Sequence, residues 1–118
     1  MKLGEKQELF AESHCKLLSH AFGLGLRVRQ RELQRTPEMA ALYVERGVGV
    51  ANSTHIYSLA IDLYLTRDGT LMWRGPDYDA LGAYWKSLSV PGANHCWGGD
   101  FSKPYDPYHF SIEHNGVK

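Results

Sequence analysis

The sequence predicts an α+β fold, in which a small antiparallel sheet packs against about three helices. Apolar residues recur with helical spacing in long stretches, shorter stretches alternate between apolar and polar residues, and the pair Asp68–Gly69 marks a tight hairpin. Helices mixed with hairpin-joined strands are typical of α+β domains. A chain of 118 residues suits one domain, which we expect to span residues 1–118.

The predicted helices are defined by apolar stripes and by start signals. Residues 5–22 carry a stripe on one helical face, formed by Phe10, Leu17, Leu18 and Ala21. Thr36 and Pro37 supply a cap and a first turn for a second helix, which should end near Arg46. Residues 76–88 predict a third helix, whose apolar side consists of Tyr78, Leu81, Trp85 and Leu88.

The predicted strands are short. Residues 22–29 alternate with a period of two, and residues 60–65 do the same. The turn at Asp68–Gly69 should fold residues 71–73 back onto the second of these strands. Residues 109–113 predict the last strand. Between the third helix and this strand, a long loop rich in Gly and Pro is expected, and long loops are often functional.

The charge balance and the lack of long apolar runs exclude several functions. Thirteen basic residues offset thirteen acidic ones, whereas an electrostatic nucleic-acid binder usually shows a basic excess. No nucleic-acid partner is therefore expected. The N-terminus has no apolar run of signal-peptide length, and no stretch reaches the length of a membrane span. We expect synthesis in a cytoplasm and no membrane insertion.

Three polar residues occupy positions from which they could bind a metal ion. His55 precedes a predicted strand, Asp62 interrupts the apolar pattern of that strand, and His109 begins the last strand. Two imidazoles and one carboxylate leave a fourth position open, as a catalytic zinc site requires. Asp106 lies three residues before His109 and is the candidate general base, with Asp100 as a weaker one. Spacing alone indicates only a candidate metal site.

Four segments resemble the three motifs of one enzyme family. Residues 53–62 (STHIYSLAID) are similar to the S-x-H-x-x-G-x-A-x-D motif of the VanY-like zinc peptidases, which comprise D-alanyl-D-alanine carboxypeptidases and L-alanyl-D-glutamate endopeptidases. Residues 97–101 (WGGDF) and 106–110 (DPYHF) resemble the second motif of that family, and residues 35–38 (RTPE) resemble a third. The segments occur in the family order. Ser58 replaces the glycine of the first motif.

The resemblance implies roles for individual residues. One zinc ion per chain is expected on His55, Asp62 and His109, with Asp106 as the base. Arg35 is expected to contact substrate and to stabilise the developing oxyanion, although Arg31 could take this role. The family fold is a small α+β domain like that of D,D-peptidases and the hedgehog signalling domain, in agreement with the predicted elements.

Further residues are expected to contact the substrate. Ser53 begins the first motif, and the aromatic side chains of the loop before the last strand should border the cleft; they are Trp97, Tyr105 and Tyr108. The chain has further aromatic residues in other elements, and we assign these mostly to the core: Tyr57, Tyr64, Trp73 and Trp85.

The family resemblance implies a zinc-dependent peptidase that cuts the L-alanyl-D-glutamate bond of peptidoglycan stem peptides. The short form of the chain is most similar to bacteriophage endolysins, which are made in the host cytoplasm and reach the wall after the membrane is breached. A monomer is expected. The alternatives are a D-Ala-D-Ala carboxypeptidase, a non-haem iron(II) oxygenase with the same ligand types, and a zinc-bearing binding module without activity.

Overall fold

A computed structural model describes residues 1–31, 36–46 and 53–118 of the chain. Within these residues the α-helices are α1 (Leu3–Gly23), α2 (Pro37–Glu45) and α3 (Asp79–Ser87). The strands are β1 (Arg27–Gln30), β2 (Ala60–Arg67), β3 (Thr70–Leu71), β4 (His95–Trp97) and β5 (His109–Ile112). Short 3₁₀ turns cover Thr54–Tyr57, Gly75–Tyr78 and Gly98–Asp100.

The strands form one antiparallel sheet in the order β1-β2-β5-β4, and β3 also pairs with β2. Helices α1 and α3 cover one face of it. Leu63 and Leu65 of β2 point into that core and are fully buried, and the Trp85 indole of α3 donates a hydrogen bond to the Ser111 carbonyl oxygen of β5. Because successive strand residues face opposite sides, Asp62 lies on the other face. The predicted α+β class is confirmed.

Local sequence signals were accurate at the helix start and at the hairpin. The Thr36 hydroxyl accepts a hydrogen bond from the Met39 N–H and caps α2, as predicted. Asp68 and Gly69 both have positive φ angles, of 51° and 79°, which a two-residue hairpin of this type requires. The returning strand is shorter than expected, because β3 contains only Thr70–Leu71.

Two predicted boundaries were wrong. The strand expected over residues 22–29 begins only at Arg27, because α1 continues through Gly23 and the Leu26 N–H bonds to the Ala21 carbonyl oxygen. The long loop expected after α3 contains strand β4 and a 3₁₀ turn. Strand β4 is held by its pairing with β5, which is a contact distant in sequence.

None of the helices within the described ranges is both long and apolar enough to cross a membrane.

Tyr78 links the hairpin to the segment before α3 and should make stability depend on alkaline pH. Its buried hydroxyl accepts the Leu65 N–H and donates to the Met72 carbonyl oxygen. Burial raises the pKa of Tyr78 to about 12, compared with about 10 in an unfolded chain. The folded protein therefore holds this proton more tightly. The resulting stabilisation is complete below about pH 10 and is lost as the pH rises towards about 12.

We expect the free energy of unfolding to fall across that range by an amount on the order of 2–3 kcal/mol from this residue at most. The variant Tyr78→Phe should be less stable at neutral pH by about 1 kcal/mol, because it leaves the Leu65 N–H without its partner. It should, however, lose less stability than the wild type at alkaline pH. Urea unfolding at a series of pH values measures both effects, and parallel pH profiles for the two proteins would contradict the assignment.

Candidate metal centre

His55 is fixed by the 3₁₀ turn that precedes β2. The Ser53 hydroxyl accepts a hydrogen bond from the His55 N–H at 3.2 Å and caps this turn. Ser58 ends the turn with a φ angle of 57°, in the left-handed region that favours glycine. Ser58 thus has a conformation that glycine adopts readily, and the His55 ring is buried, with 3% of its surface exposed.

Asp62 and His109 meet through the register of the sheet. They are directly opposite each other on the antiparallel strands β2 and β5. Asp62 is on the sheet face opposite to α1 and α3, and its carboxylate is half-buried. The His109 ring is buried on the same face and packs against Phe101. The backbone pairing therefore brings together two side chains that are 47 positions apart in the printed sequence.

The three side chains form a cluster that could hold one metal ion. The Asp62 Oδ1 lies 3.4 Å from the His55 Nε2 and 3.5 Å from the His109 Nδ1. One nitrogen or oxygen atom from each residue lies within 4.8 Å of the others. In a tetrahedral zinc site with bonds of about 2.0–2.1 Å, neighbouring ligand atoms are roughly 3.4 Å apart.

The electrostatics of Asp62 also fit a cation. The Asp62 Oδ1 is buried and has no hydrogen-bond partner within the described part of the chain. Burial raises the pKa of Asp62, but the facing imidazoles of His109 and His55 outweigh this effect and hold it below the usual range for aspartate. The carboxylate is therefore ionised at neutral pH. An ionised carboxylate with a free buried oxygen, between two imidazoles, is a donor set that zinc accepts.

Asp106 is held next to His109 by the backbone of the preceding loop. Its N–H donates to the Gly98 carbonyl oxygen at 3.0 Å, and its carbonyl oxygen accepts the His109 N–H at 3.1 Å. A Cβ atom at position 98 would clash with the Asp106 carbonyl oxygen, so the loop approaches this closely only because Gly98 has no side chain. Burial raises the pKa of Asp106, and the negative charge of Asp62 raises it further.

Trp97, which is expected to contact substrate, lies mostly in the interior of the fold. Its indole is buried, packs over Gly82 and Gly99, and donates its N–H to the Pro107 carbonyl oxygen at 2.8 Å. Trp97 therefore supports the loop that carries Asp106, and its expected contact with substrate stays a prediction. Ser53 is also buried, with its hydroxyl used as the cap of the His55 turn. Its expected contact with substrate stays a prediction.

Other residues with an expected substrate role occupy different positions. Arg35 lies outside the described residues. Arg31 is described: its N–H donates to the Asp62 carbonyl oxygen at 2.8 Å, and its guanidinium lies 5.3 Å from the centroid of the Tyr64 ring. Tyr108 is half-buried, immediately before His109. Tyr105 is 54% exposed.

Two aromatic residues near the cluster were assigned wrongly to the core. Trp73 is 60% exposed, and Tyr64 is only half-buried, on the same strand face as Asp62. For Tyr64, the sequence contained a signal for a position beside the metal cluster. It lies two residues after Asp62, and residues two apart on a strand share a face. The exposure of Trp73 had no such signal in the sequence.

Comparisons with known proteins agree with this geometry. A family described as D-alanyl-D-alanine carboxypeptidase matches residues 46–112, more than half of the chain, and this range includes His55, Asp62, Asp106 and His109. Among solved structures, the chain is similar to the L-Ala D-Glu endopeptidase ChiX of Serratia marcescens, with 20% identity and a TM-score of 0.63. That likeness covers 75% of this chain and 68% of the other, and at this identity it shows the fold. A search of curated protein sequences found no match. The match over residues 46–112 shows that the chain belongs to the D-alanyl-D-alanine carboxypeptidase family of metallopeptidases.

Proposed function

We propose that this metallopeptidase is a zinc-dependent peptidoglycan hydrolase that cuts the bond between L-alanine and D-glutamate in the stem peptide. The observation that carries the proposal is the meeting of His55, Asp62 and His109 on the sheet face opposite to α1 and α3, with Asp106 held next to His109. Membership of the family supports peptide hydrolysis. The fold likeness to an L-Ala D-Glu endopeptidase supports this choice of bond.

The proposed cofactor is one zinc ion per chain. The atoms that would hold it are His55 Nε2, Asp62 Oδ1 and His109 Nδ1, because these face one another at the distances given above. When bound, zinc supplies a Lewis acid that polarises a carbonyl group and lowers the pKa of water to about 7.

Asp106 is proposed to move the proton during hydrolysis. Its carboxylate takes a proton from the attacking water, whose oxygen forms a bond to the carbonyl carbon of the scissile amide. The carbon–nitrogen bond then breaks, and Asp106 returns the proton to the departing amine. One water is consumed, and the products are a carboxylic acid and an amine, which at neutral pH are present as a carboxylate and an ammonium group. Arg35, or Arg31 in its place, is proposed to stabilise the negative charge that develops on the carbonyl oxygen.

The biological role proposed with this activity is that of a phage endolysin. The resemblance of the motifs to those of short endolysins supports this role. The protein would be made in the host cytoplasm and would reach the stem peptide after the inner membrane is breached. The small described fold, with a radius of gyration of 13.9 Å, suits action as a monomer.

The second candidate function is a D-Ala-D-Ala carboxypeptidase, which the description of the matched family favours. It would use the same metal site and the same base, and it differs in the bond that is placed at the metal. The two functions are therefore distinguished by products and not by site residues.

Defined stem peptides test the proposal. The zinc-loaded protein is incubated with a pentapeptide that contains both bonds, and the products are identified by mass spectrometry. We expect L-alanine to be separated from the remaining tetrapeptide, with activity lost in chelator and restored by zinc. Release of the terminal D-alanine alone would establish the carboxypeptidase instead. Bound zinc without cleavage of peptides or of purified walls would indicate a binding module, and bound iron would indicate the oxygenase alternative.

A further inference from the structure

An aromatic cluster, which we call the aromatic shelf, adjoins the metal centre and consists of Tyr64, Trp73 and Tyr108. Two of its members are close in sequence to proposed metal ligands. Tyr64 follows Asp62 by two residues on β2 and therefore shares its sheet face. Tyr108 immediately precedes His109 and the start of β5, and its ring contacts that of Tyr64 on this face. The shelf thus continues the surface on which the metal cluster lies.

The rings of the shelf are held in defined positions. The Tyr64 ring centroid lies 5.7 Å from that of Trp73 and 4.9 Å from that of Tyr108. Trp73 and Tyr108 meet edge to face at 6.3 Å, and the Tyr108 hydroxyl donates to the Trp73 carbonyl oxygen at 2.7 Å. The Arg31 guanidinium lies over the Tyr64 ring. Little rotamer freedom therefore remains to be lost when a ligand binds.

Folding does not account for this arrangement at Trp73. An indole that is 60% exposed contributes little burial to the fold, and yet its backbone and ring are fixed by tyrosine neighbours. A rigid aromatic surface beside hydrogen-bonding groups suits a ligand that has both an apolar face and polar edges. A pyranose ring has this character, because its C–H groups form a flat face and its hydroxyl and amide groups surround it.

In the cell wall, such a ring lies beside the L-alanyl-D-glutamate bond of the stem peptide and far from the terminal D-Ala-D-Ala bond. The stem peptide is joined through its L-alanine to the lactyl group of N-acetylmuramic acid. Only one amino acid, with a reach of about 3.6 Å, separates that junction from the L-alanyl-D-glutamate bond. The terminal D-Ala-D-Ala bond is four residues away, about 13–14 Å in an extended chain. A sugar site that adjoins the metal centre therefore fits cleavage of the first bond and not of the last.

We propose that the aromatic shelf is a saccharide subsite, in which Trp73 stacks on the amino sugar that carries the stem peptide. This inference rests on the proposed function, because the sugar reaches the shelf when the L-alanyl bond is at the metal. It makes the protein selective for stem peptides still attached to their glycan.

Two matched substrates test the subsite. One is a muramyl peptide and the other is the same peptide without the sugar, and kcat/KM is measured for both with the zinc-loaded protein. The wild type should prefer the sugar-bearing peptide. The variant Trp73→Ala should reduce that ratio of kcat/KM values by about three- to tenfold, and Trp73→Phe should reduce it less. The matched control is Phe22→Ala, because Phe22 is an aromatic residue with 47% exposure outside the shelf, and its ratio should equal that of the wild type.

A binding measurement separates failure of the subsite from failure of the proposed function. The zinc-loaded protein is titrated with the peptide-free disaccharide of N-acetylglucosamine and N-acetylmuramic acid, and the indole N–H resonances are followed by NMR. Trp73 should shift, whereas the buried Trp85 and Trp97 should not. Peptide cleavage with no shift at Trp73, or with equal losses on both peptides in Trp73→Ala, would overturn the subsite and leave the function standing. A shift at Trp73 without cleavage of the L-alanyl bond would support the subsite and overturn the function.

Discussion

Replacement of Asp62 by alanine is expected to abolish zinc binding, and hydrolysis with it. Asp62 Oδ1 is the atom that faces both imidazoles, so its removal deletes one of the three proposed ligands and the only negatively charged one. The loss of affinity should exceed the roughly tenfold to hundredfold cost of losing a group that merely supports a ligand. Metal analysis after dialysis should give one zinc per wild-type chain and almost none in the variant.

The control for this prediction is the stability of the metal-free proteins. Burial of the Asp62 carboxylate is unfavourable, but the contacts with His109 and His55 outweigh it. In chelator, Asp62→Ala should therefore unfold at a somewhat lower temperature than the wild type, and the effect of zinc is measured for each protein against its own metal-free form. Zinc at about a hundred times its Kd should then stabilise the wild type by about 2.7 kcal/mol and raise its Tm, without raising that of the variant. Equal zinc content and equal zinc-dependent Tm in both proteins would remove Asp62 from the ligand set.

The fold was predictable where the chain carries local conformational signals. The Thr36 hydroxyl caps α2 through a neighbour three residues away, and Asp68–Gly69 adopts positive φ angles that few other pairs tolerate. Strand β4 lacks such signals. It has three residues, too few for an alternating pattern, and exists because β5 pairs with it across the sheet. The start of β1 was not predictable for a related reason. The backbone that follows α1 takes the conformation of the helix C-terminus and not that of a strand.

The same distinction between local and distant contacts applies to the candidate site. The motifs identified His55, Asp62 and His109 as candidate ligands. Their meeting depends on the pairing of β2 with β5, which no local pattern specifies. The tryptophans show most clearly that burial depends on distant contacts. Trp97 was expected at a cleft and is buried, whereas Trp73 was expected in the core and is exposed. Residue type gives the preference of a side chain for burial, and only the packing of distant elements decides which tryptophan is covered.

Replacement of Asp106 by alanine is expected to lower kcat by at least about a hundredfold while zinc remains bound. Asp106 does not belong to the group of residues whose atoms face the proposed metal position, so the affinity for zinc should be largely preserved. What the variant loses is the group that carries the proton from the attacking water to the leaving amine. Zinc content and steady-state hydrolysis of a stem peptide are measured on the same sample, and Asp106→Asn should behave like Asp106→Ala because an amide cannot accept the proton.

Asp100 provides the matched control, because it is the other acidic residue of the same loop. Its carboxylate forms an exposed ion pair with Lys86 at 2.8 Å, and such pairs contribute about 0–1 kcal/mol to stability. Asp100→Ala should therefore keep both zinc and kcat. Full activity in Asp106→Ala, together with a loss in Asp100→Ala at equal zinc content, would transfer the role of base to Asp100. Loss of zinc in Asp106→Ala would instead make that residue part of the metal site, since a base acts on the proton and not on the retention of the ion.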